Sequence, residues 1–380
     1  MAFMKPIPLS KIPIHKHLFC YEIKYDGFRA ALQWDTHHIK LLSKNHYDLS
    51  EKFPEIIRFC KEVEPIVQKY LPLTLDGELV ILNHSGQANF SLIQTRGRTD
   101  DSETIQHYAK QRPASFLVFD MLTFKGKDLR PEQYGERKKI LQQLFNEIDY
   151  PSLTKKRMQQ VSMFNDPDEL QKIVFEQQGE GIVAKKLNSP YQRGKSHTDW
   201  FNIKNWRTVY GFLTMFDPNN GYYDVQVYDG KTPINIGKCK HGLDAASAQT
   251  LKEFFTREGE ERKDGCYHLP PAICVGIHTL DMPHGELREP SFAYIASNVD
   301  PEDCTIKKLH LDLAQLPPSI DYSNLEKVYW PEPFLLKSDL LIYLRRIMPY
   351  ILPFLKDRLA TLIRCPEGVH GDYFFQKSLR

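Results

Sequence analysis

The most constraining feature of this chain is a break near its start. Phe19, Tyr21 and Ile23 alternate as a half-buried strand does, and the run ends at Lys24-Tyr25-Asp26-Gly27. An Asp-Gly pair signals a tight turn. Lys24 is therefore expected at a strand end, held by the fold with its amine able to reach out of it. A lysine amine, which ordinarily titrates at about 10.4, is protonated near neutral pH and attacks only where desolvation or neighbouring cations favour its neutral form. Gly27 permits close backbone approach, and Arg29 carries a fork suited to oxyanions. Taken alone, the stretch also admits a hairpin with a surface lysine.

The length of 380 residues predicts two or three domains, and the 41% hydrophobic and 26% charged residues fit a soluble globular protein. A net charge of +2 restricts any nucleic-acid surface to a local patch. No apolar run approaches about 18 residues, so no transmembrane helix is expected, and Met1 to Ser10 is too polar for a secretory signal. Seven cysteines without a Cys-x-x-Cys pair point to a reducing cytoplasm. Cys266, His268, Cys274, His278 and His284 match no common zinc spacing, and Ile273 to Ile277 alternates as a strand that would separate them.

Further along, turns leading into apolar strands recur. Leu75-Asp76-Gly77-Glu78 precedes Leu79-Val80-Ile81, and an unpaired carboxylate at that point is costly unless it meets donors. Phe116-Leu117-Val118-Phe119-Asp120 is a buried strand, and Gly179-Glu180-Gly181 opens Ile182-Val183-Ala184-Lys185-Lys186. Helical spacing marks residues 51–70 after Pro54, and Phe90 to Arg98 forms a short helix whose arginines face either DNA or solvent. Glu136-Arg137-Lys138-Lys139 belongs to an amphipathic helix beyond Pro131, and residues 145–170 read as a connecting strand and helix. Residues 207–312 show short runs separated by turns (Tyr210 to Phe216, Tyr222 to Tyr228, Ile234 to Lys240), a helix over Ala245 to Glu258 and a strand near Ile273. Leu316-Pro317-Pro318 marks a linker.

In this order and spacing the motifs resemble those of ATP-dependent DNA ligases of the bacterial end-joining (ligase D) type. Their nucleotidyl-lysine motif is matched by Lys24 within Glu22 to Arg29. The resemblance implies an α+β chain: a nucleotidyltransferase (adenylation) domain of ATP-grasp-like type over residues 1–206, an OB-fold barrel over 207–315, and the start of a primase-like polymerase domain over 316–380. It implies that Lys24 takes up AMP, and that Glu22, Arg29, Lys44, Glu78, Phe119, Lys186 and Lys204 bind the nucleotide. Glu78 would reach the ribose hydroxyls, Phe119 the adenine and Lys204 the α-phosphate. Glu180, with Glu78, would hold Mg²⁺ or Mn²⁺. Arg29, Lys186 and Lys204 are expected to keep Lys24 partly neutral. Asn202 stands where relatives carry another lysine, and no arginine follows Leu287-Arg288-Glu289-Pro290-Ser291-Phe292 at Tyr294 to Asn298. In the tail, Lys327 and Lys337 match lysines that hold a DNA 5′-phosphate. ATP, duplex DNA with nicks or ends, a Ku-like end-binding protein and monomeric action in the bacterial cytoplasm, at the nucleoid, complete the expectation. An RNA ligase or capping enzyme and an inactive end-binding scaffold stay open as alternatives.

Overall fold

The computed structural model describes residues 3–148, 156–194 and 196–376. Met1, Ala2, residues 149–155 of the 145–170 connection, Lys195 and residues 377–380 lie outside the described residues. The chain divides into two compact units, Met1–Asn205 and Trp206–Arg380.

Two sheets build the first unit. One has four strands in the order β1 (Ile7–Pro8), β12 (Trp200–Lys204), β11 (Gly181–Lys186) and β2 (Phe19–Lys24). The other runs β10 (Met158–Gln160), β8 (Ser115–Phe124), β5 (Leu73–Val80), β3 (Phe28–Trp34) and β4 (Ile39–Ser43), with β9 (Lys127–Asp128) beside β8. The chain thus leaves the first sheet at Lys24 and enters the second at Phe28. The turn between them is tight. A Cβ on Gly27 would lie 2.0 Å from the Leu79 carbonyl oxygen, so no larger residue fits without a shift.

Helix α1 (Pro54–Val67) starts on a proline whose fixed φ suits the first helical position. Its Ile56, Phe59, Cys60, Val63 and Val67 recur at helical spacing and join α4 (Tyr134–Ile148) in the core against the second sheet. α5 (Pro167–Glu176) covers the first sheet with Leu170 and Val174. Between the sheets' main strands come the small hairpin β6 (Leu82–His84) and β7 (Gln87–Ala88), then α2 (Phe90–Arg98) and α3 (Ser102–Gln111). The Asn89 side chain accepts from the Leu92 amide (3.1 Å) and that of Asp101 from the Thr104 amide (2.8 Å), capping α2 and α3.

Two surface readings are corrected here. Arg96 of α2 is 1% exposed, donating to the Lys52 carbonyl and the Glu55 carboxylate, so it is not part of an open, solvated face. Arg137 and Lys138 of α4 point inward as well, onto Asp120 and Glu22. A run of cations on a helix looks solvated until buried carboxylates claim them.

The second unit holds a six-stranded sheet in the order β15 (Thr232–Cys239), β14 (Tyr222–Asp229), β13 (Arg207–Asp217), β17 (Tyr267–Thr279) and β16 (Glu260–Glu261), with β18 (Ser291–Ile295) also paired to β17. α6 (Ala245–Glu258) and α7 (Ile306–Ala314) pack on it. The sheet is open: among the described residues no strand ladder joins its two ends, so the expected closed barrel is not found. Val209, Phe212, Val225 and Ile277 lie in its core. The sulfurs of Cys274 and Cys304 lie 3.9 Å apart, and His278 stacks on Trp206. No group of three or more potential metal ligands occurs among the described residues.

Beyond residue 316 follow β19 (Val328–Trp330) with β20 (Leu335–Leu336), the 19-residue α8 (Lys337–Leu355), and β21 (Leu362–Arg364) with β22 (Phe374–Gln376). Arg345 ties α8 to α7 by donating to the Gln315 carbonyl at 3.1 Å. Lys327 pairs with Glu367, and Lys337 donates to the Ser323 carbonyl. Many apolar side chains of α8 and the final strands are exposed, Phe354 at 67% and Phe375 at 60% among them. No helix among the described residues is long and apolar enough to cross a membrane.

Candidate active site

Register across the first sheet assembles the site. Gly181 of β11 lies opposite Lys24 of β2 on one side and Lys204 of β12 on the other. Opposed residues in antiparallel strands share a face, and the face repeats every second residue. Glu22, Lys24, Lys185, Asn202 and Lys204 therefore lie on one face of the sheet. Lys186 lies on the other.

The residue before Gly181 is Glu180, whose Oε1 sits 2.5 Å from Lys24 Nζ. Burial opposes the charge on Lys24, but Glu180, Glu78 and Asp26 outweigh it and hold the amine's pKa above its ordinary value. This corrects the expected cation cage. The resting amine is stabilised as an ammonium by carboxylates.

Arg29 and Glu78 are opposed across β3 and β5 on the second sheet. The Arg29 fork is already engaged: Nε and Nη2 meet Asp76 Oδ1 and Oδ2 at 2.6 and 2.7 Å. Tyr191 donates to the same Asp76 oxygen as Nη2, at 2.7 Å. Burial would destabilise the guanidinium, but Asp76 raises its pKa further. Arg29 is thus a fixed cation beside the site rather than an open fork for an oxyanion. Glu78 is half-buried, and burial pushes its carboxyl up to about 8, with Glu180 and Asp26 adding to the rise against Arg29 and Lys24.

Glu22 also differs from expectation. It is 2% exposed, with Oε1 accepting from Lys138 Nζ (2.5 Å) and the Tyr134 hydroxyl (2.6 Å), and Oε2 from Lys185 Nζ (2.6 Å). Burial would raise its pKa, but the two ammonium groups lower it on balance. Its carboxylate is spent on the fold, two residues from Lys24. Lys186 sits toward the far end of β11, five residues from Gly181, at 3.7 Å from Asp199.

Phe119 is half-buried in β8, with the Arg29 guanidinium 4.3 Å and Lys185 Nζ 4.2 Å from its ring centre. Lys185 Nζ also lies 4.4 Å from the Trp200 ring centre. Lys44 stands exposed in the turn after β4. Asp120, next to Phe119, is fully buried against Arg137.

The structure thus groups Lys24, Arg29, Glu78 and Glu180 and places Lys204 in the same row. It sets Lys186 apart and makes Glu22 a support. Sequence reading missed Asp76, Tyr134, Lys138 and Lys185. Strand parity would have found Lys185, which lies an even number of residues from Gly181, whereas Lys186 does not. The helical partners carry no such signal.

The carboxylates of Glu180 and Glu78 interact electrostatically with one another and with Lys24. Hard oxygen donors in this number suit Mg²⁺ or Mn²⁺, which commonly take one or two protein carboxylates and complete their shell with water and substrate phosphates. The donor set fits such an ion.

Residues 9–204 match the family model described as ATP dependent DNA ligase domain, and residues 336–380 match LigD, primase-polymerase domain. The chain is 35% identical over 383 residues to the bifunctional non-homologous end joining protein LigD of Bacillus subtilis (strain 168), covering 100% of this chain and 62% of that relative. The SPbeta prophage-derived DNA ligase-like protein LigB of the same organism is 24% identical over 76% of this chain and 98% of its own. Among solved structures, Pmar-Lig_Pre superposes with a TM-score of 0.56 at 19% identity, over 77% of this chain and 67% of that one. A Lig E DNA ligase does so with 0.50 at 17% identity, over 77% of this chain and 100% of that one. At these identities the solved structures speak for the fold alone. The family match spans the second sheet, the first sheet apart from β1, and every residue from Lys24 to Lys204 named above, and on it this chain belongs to the ATP-dependent DNA ligase domain family.

Proposed function

We propose that this protein seals nicks or breaks in duplex DNA with ATP, through a lysyl-AMP at Lys24 and then a DNA-adenylate. The observation that carries the reading is Lys24 Nζ held 2.5 Å from Glu180 at a strand end, with Lys204 in the same row across Gly181.

In the first step the Lys24 amine, after losing a proton, attacks the α-phosphorus of ATP. An N–P bond forms, and the bond to pyrophosphate breaks. Lys204 and the fixed Arg29 charge offset the negative charge that builds on the phosphate. In the second step an oxygen of a DNA 5′-phosphate attacks the same phosphorus and the lysine amine leaves. In the third the adjacent 3′-hydroxyl attacks the 5′-phosphorus and AMP leaves. Glu78 faces the ribose hydroxyls, Phe119 the adenine, and Lys44 the ribose and phosphates. Glu180 and Glu78 would hold a divalent ion, which would supply Lewis-acid neutralisation of the phosphates. Glu22, Tyr134, Lys138 and Lys185 fix the strand that presents Lys24.

We read three parts, 1–206, 207–315 and 316–380. We read the middle one as OB-like with an open rather than closed sheet; in support, Leu287 N donates to the Ile236 carbonyl (2.8 Å) and Phe292 N to the His241 carbonyl (2.7 Å), which draws the segment around β18 toward β15. Nicked duplex DNA, a Ku-like end-binding protein and monomeric action in the cytoplasm, at the nucleoid, belong to the same reading.

Incubation with α-labelled ATP and Mg²⁺ or Mn²⁺, followed by denaturing electrophoresis, tests it. A labelled band stable to alkali and labile to acid is expected, and Lys24→Ala removes it. A band surviving that change overturns the assignment. One observation favours a second reading, an end-binding scaffold: Asn202 occupies the family's lysine position, and its buried Oδ1 has no hydrogen-bond partner among the described residues. DNA binding with no adduct and no sealing by the purified protein supports the scaffold.

A further inference from the structure

Away from the nucleotidyl site, the first unit carries a cavity of about 380 Å³ where α2 and α3 meet the end of β5. That volume lies within the range of small-molecule sites, about 300–1,000 Å³. Its lining shares no residue with the nucleotidyl site. Ile81, Leu92 and the Tyr108 ring give it an apolar side, while Arg96 and Arg112 give it a cationic one, with the His107 ring beside them.

Arg96 is the informative member. It is 1% exposed, its Nε is used by the Lys52 carbonyl at 2.8 Å, and its Nη2 by Glu55 at 2.9 Å. Its buried Nη1 has no hydrogen-bond partner among the described residues. A guanidinium donor is costly to bury without an acceptor. Glu55 does not satisfy it, because that carboxylate is shared by Nη2 and the Ala114 amide. Arg112, exposed at the end of α3, adds a second guanidinium at the mouth. The carbonyl ends of α2 and α3 oppose an anion there, but two full cations outweigh partial charges. His107 and Tyr108 place two rings side by side, with centres 6.1 Å apart at an interplanar angle of 61°. Guanidinium donors beside an aromatic surface are what single-stranded nucleic-acid sites combine, the cation for phosphate and the ring for a base.

We propose that this cavity is a subsite for one nucleotide unit, with its phosphate on Arg96 and Arg112 and its base against Tyr108, Ile81 and Leu92. The unit is either a free mononucleotide or an unpaired nucleotide of a DNA strand. The second source rests on the DNA-joining reading, whereas the cavity's chemistry does not.

The test uses the full chain and thymine probes, which avoid the adenine site: dTMP, a single-stranded thymidine tetranucleotide and unphosphorylated thymidine. Saturable binding of dTMP or the tetranucleotide is expected, weakened about tenfold or more by Arg112→Ala and by Tyr108→Ala, with thymidine failing to compete. Gln111→Trp, which fills the mouth from an exposed position, should have the same effect without touching a buried group. Adduct formation with ATP is the control and should stay within about twofold in all three variants, since none touches the nucleotidyl site. Full competition by dTMP identifies a free nucleotide as the occupant, and binding of the tetranucleotide alone identifies a DNA strand. No saturable binding overturns the proposal, as does binding unchanged in the three variants or competition by benzoate as strong as by dTMP. A wild-type protein that forms no adduct yet binds the thymine probes sinks the ligase reading and leaves this one standing.

Discussion

At the residue scale, the Lys24–Glu180 pair sets a sign that can be measured. Carboxylates hold the amine above its usual pKa, so below that value its neutral fraction grows about tenfold per pH unit. Adduct formation should therefore accelerate as pH rises from 6 to 9. Glu180→Gln removes the main raising charge, so Lys24 should react faster with an amine-selective reagent at pH 8, while adduct formation should fall by about 100-fold or more with the loss of a carboxylate proposed to hold the metal. Mass-spectrometric labelling against an adduct assay separates the two effects, and parallel changes would refute the split. Glu78 gives the opposite kind of linkage. Its folded-state value of about 8 exceeds the ordinary carboxyl value, so the folded state binds the extra proton between them. Stability is greatest below the unfolded value and is lost as pH rises through the folded one. Glu78→Gln should stabilise the protein at pH 9 by on the order of 1–3 kcal/mol and flatten the melting profile between pH 5 and 8. That Glu78 and Glu180 flank the lysine was legible as motif order. That they raise its pKa was not, because a charge balance depends on distances a sequence does not contain.

Elements explain where sequence reading held and where it stopped. β2, β5, β8 and β11 were legible because each is an apolar run bounded by a turn. α1 and α6 were legible from spacing, and α6 begins and ends at the expected Ala245 and Glu258. Lys186, expected beside Lys24, lies on the opposite face of β11; a motif match ignores the two faces of a strand. The buried Glu22 cradle was invisible because Tyr134 and Lys138 come from a helix more than a hundred residues away. Breaking such a pair from one side strands a buried charge. Lys138→Met should cost about 3–5 kcal/mol, measured by denaturant unfolding. A loss under about 1 kcal/mol would mean that Glu22 finds another partner or a proton. Gly27→Ala should also destabilise the protein, since the added Cβ meets the Leu79 oxygen at 2.0 Å. Its adduct yield should fall more than its stability does, because the clash lies three residues from Lys24.

At the scale of the whole molecule, the second unit contrasts with the first. Its sheet is well filled, but its last 65 residues leave Tyr343, Leu352, Phe354, Leu359, Ile363 and Phe375 exposed. Apolar patches of this extent promote association. Light scattering should show self-association at high protein concentration, with the monomer of the proposed reading prevailing on dilution, and Leu352→Glu with Phe354→Glu should reduce the association without lowering adduct yield. A monodisperse monomer at high concentration would contradict this.

The turn at Tyr25-Asp26-Gly27 has one more consequence. Lys24 ends one sheet and Glu78 lies on the other, so on the proposed reading a nucleotide bonded to the first and held by the second would stitch a seam that the polypeptide crosses there by a glycine turn. Loading would then behave as a cross-link made from substrate. The loaded protein should melt as a tighter body than the empty one, and each discharge onto DNA would release the seam.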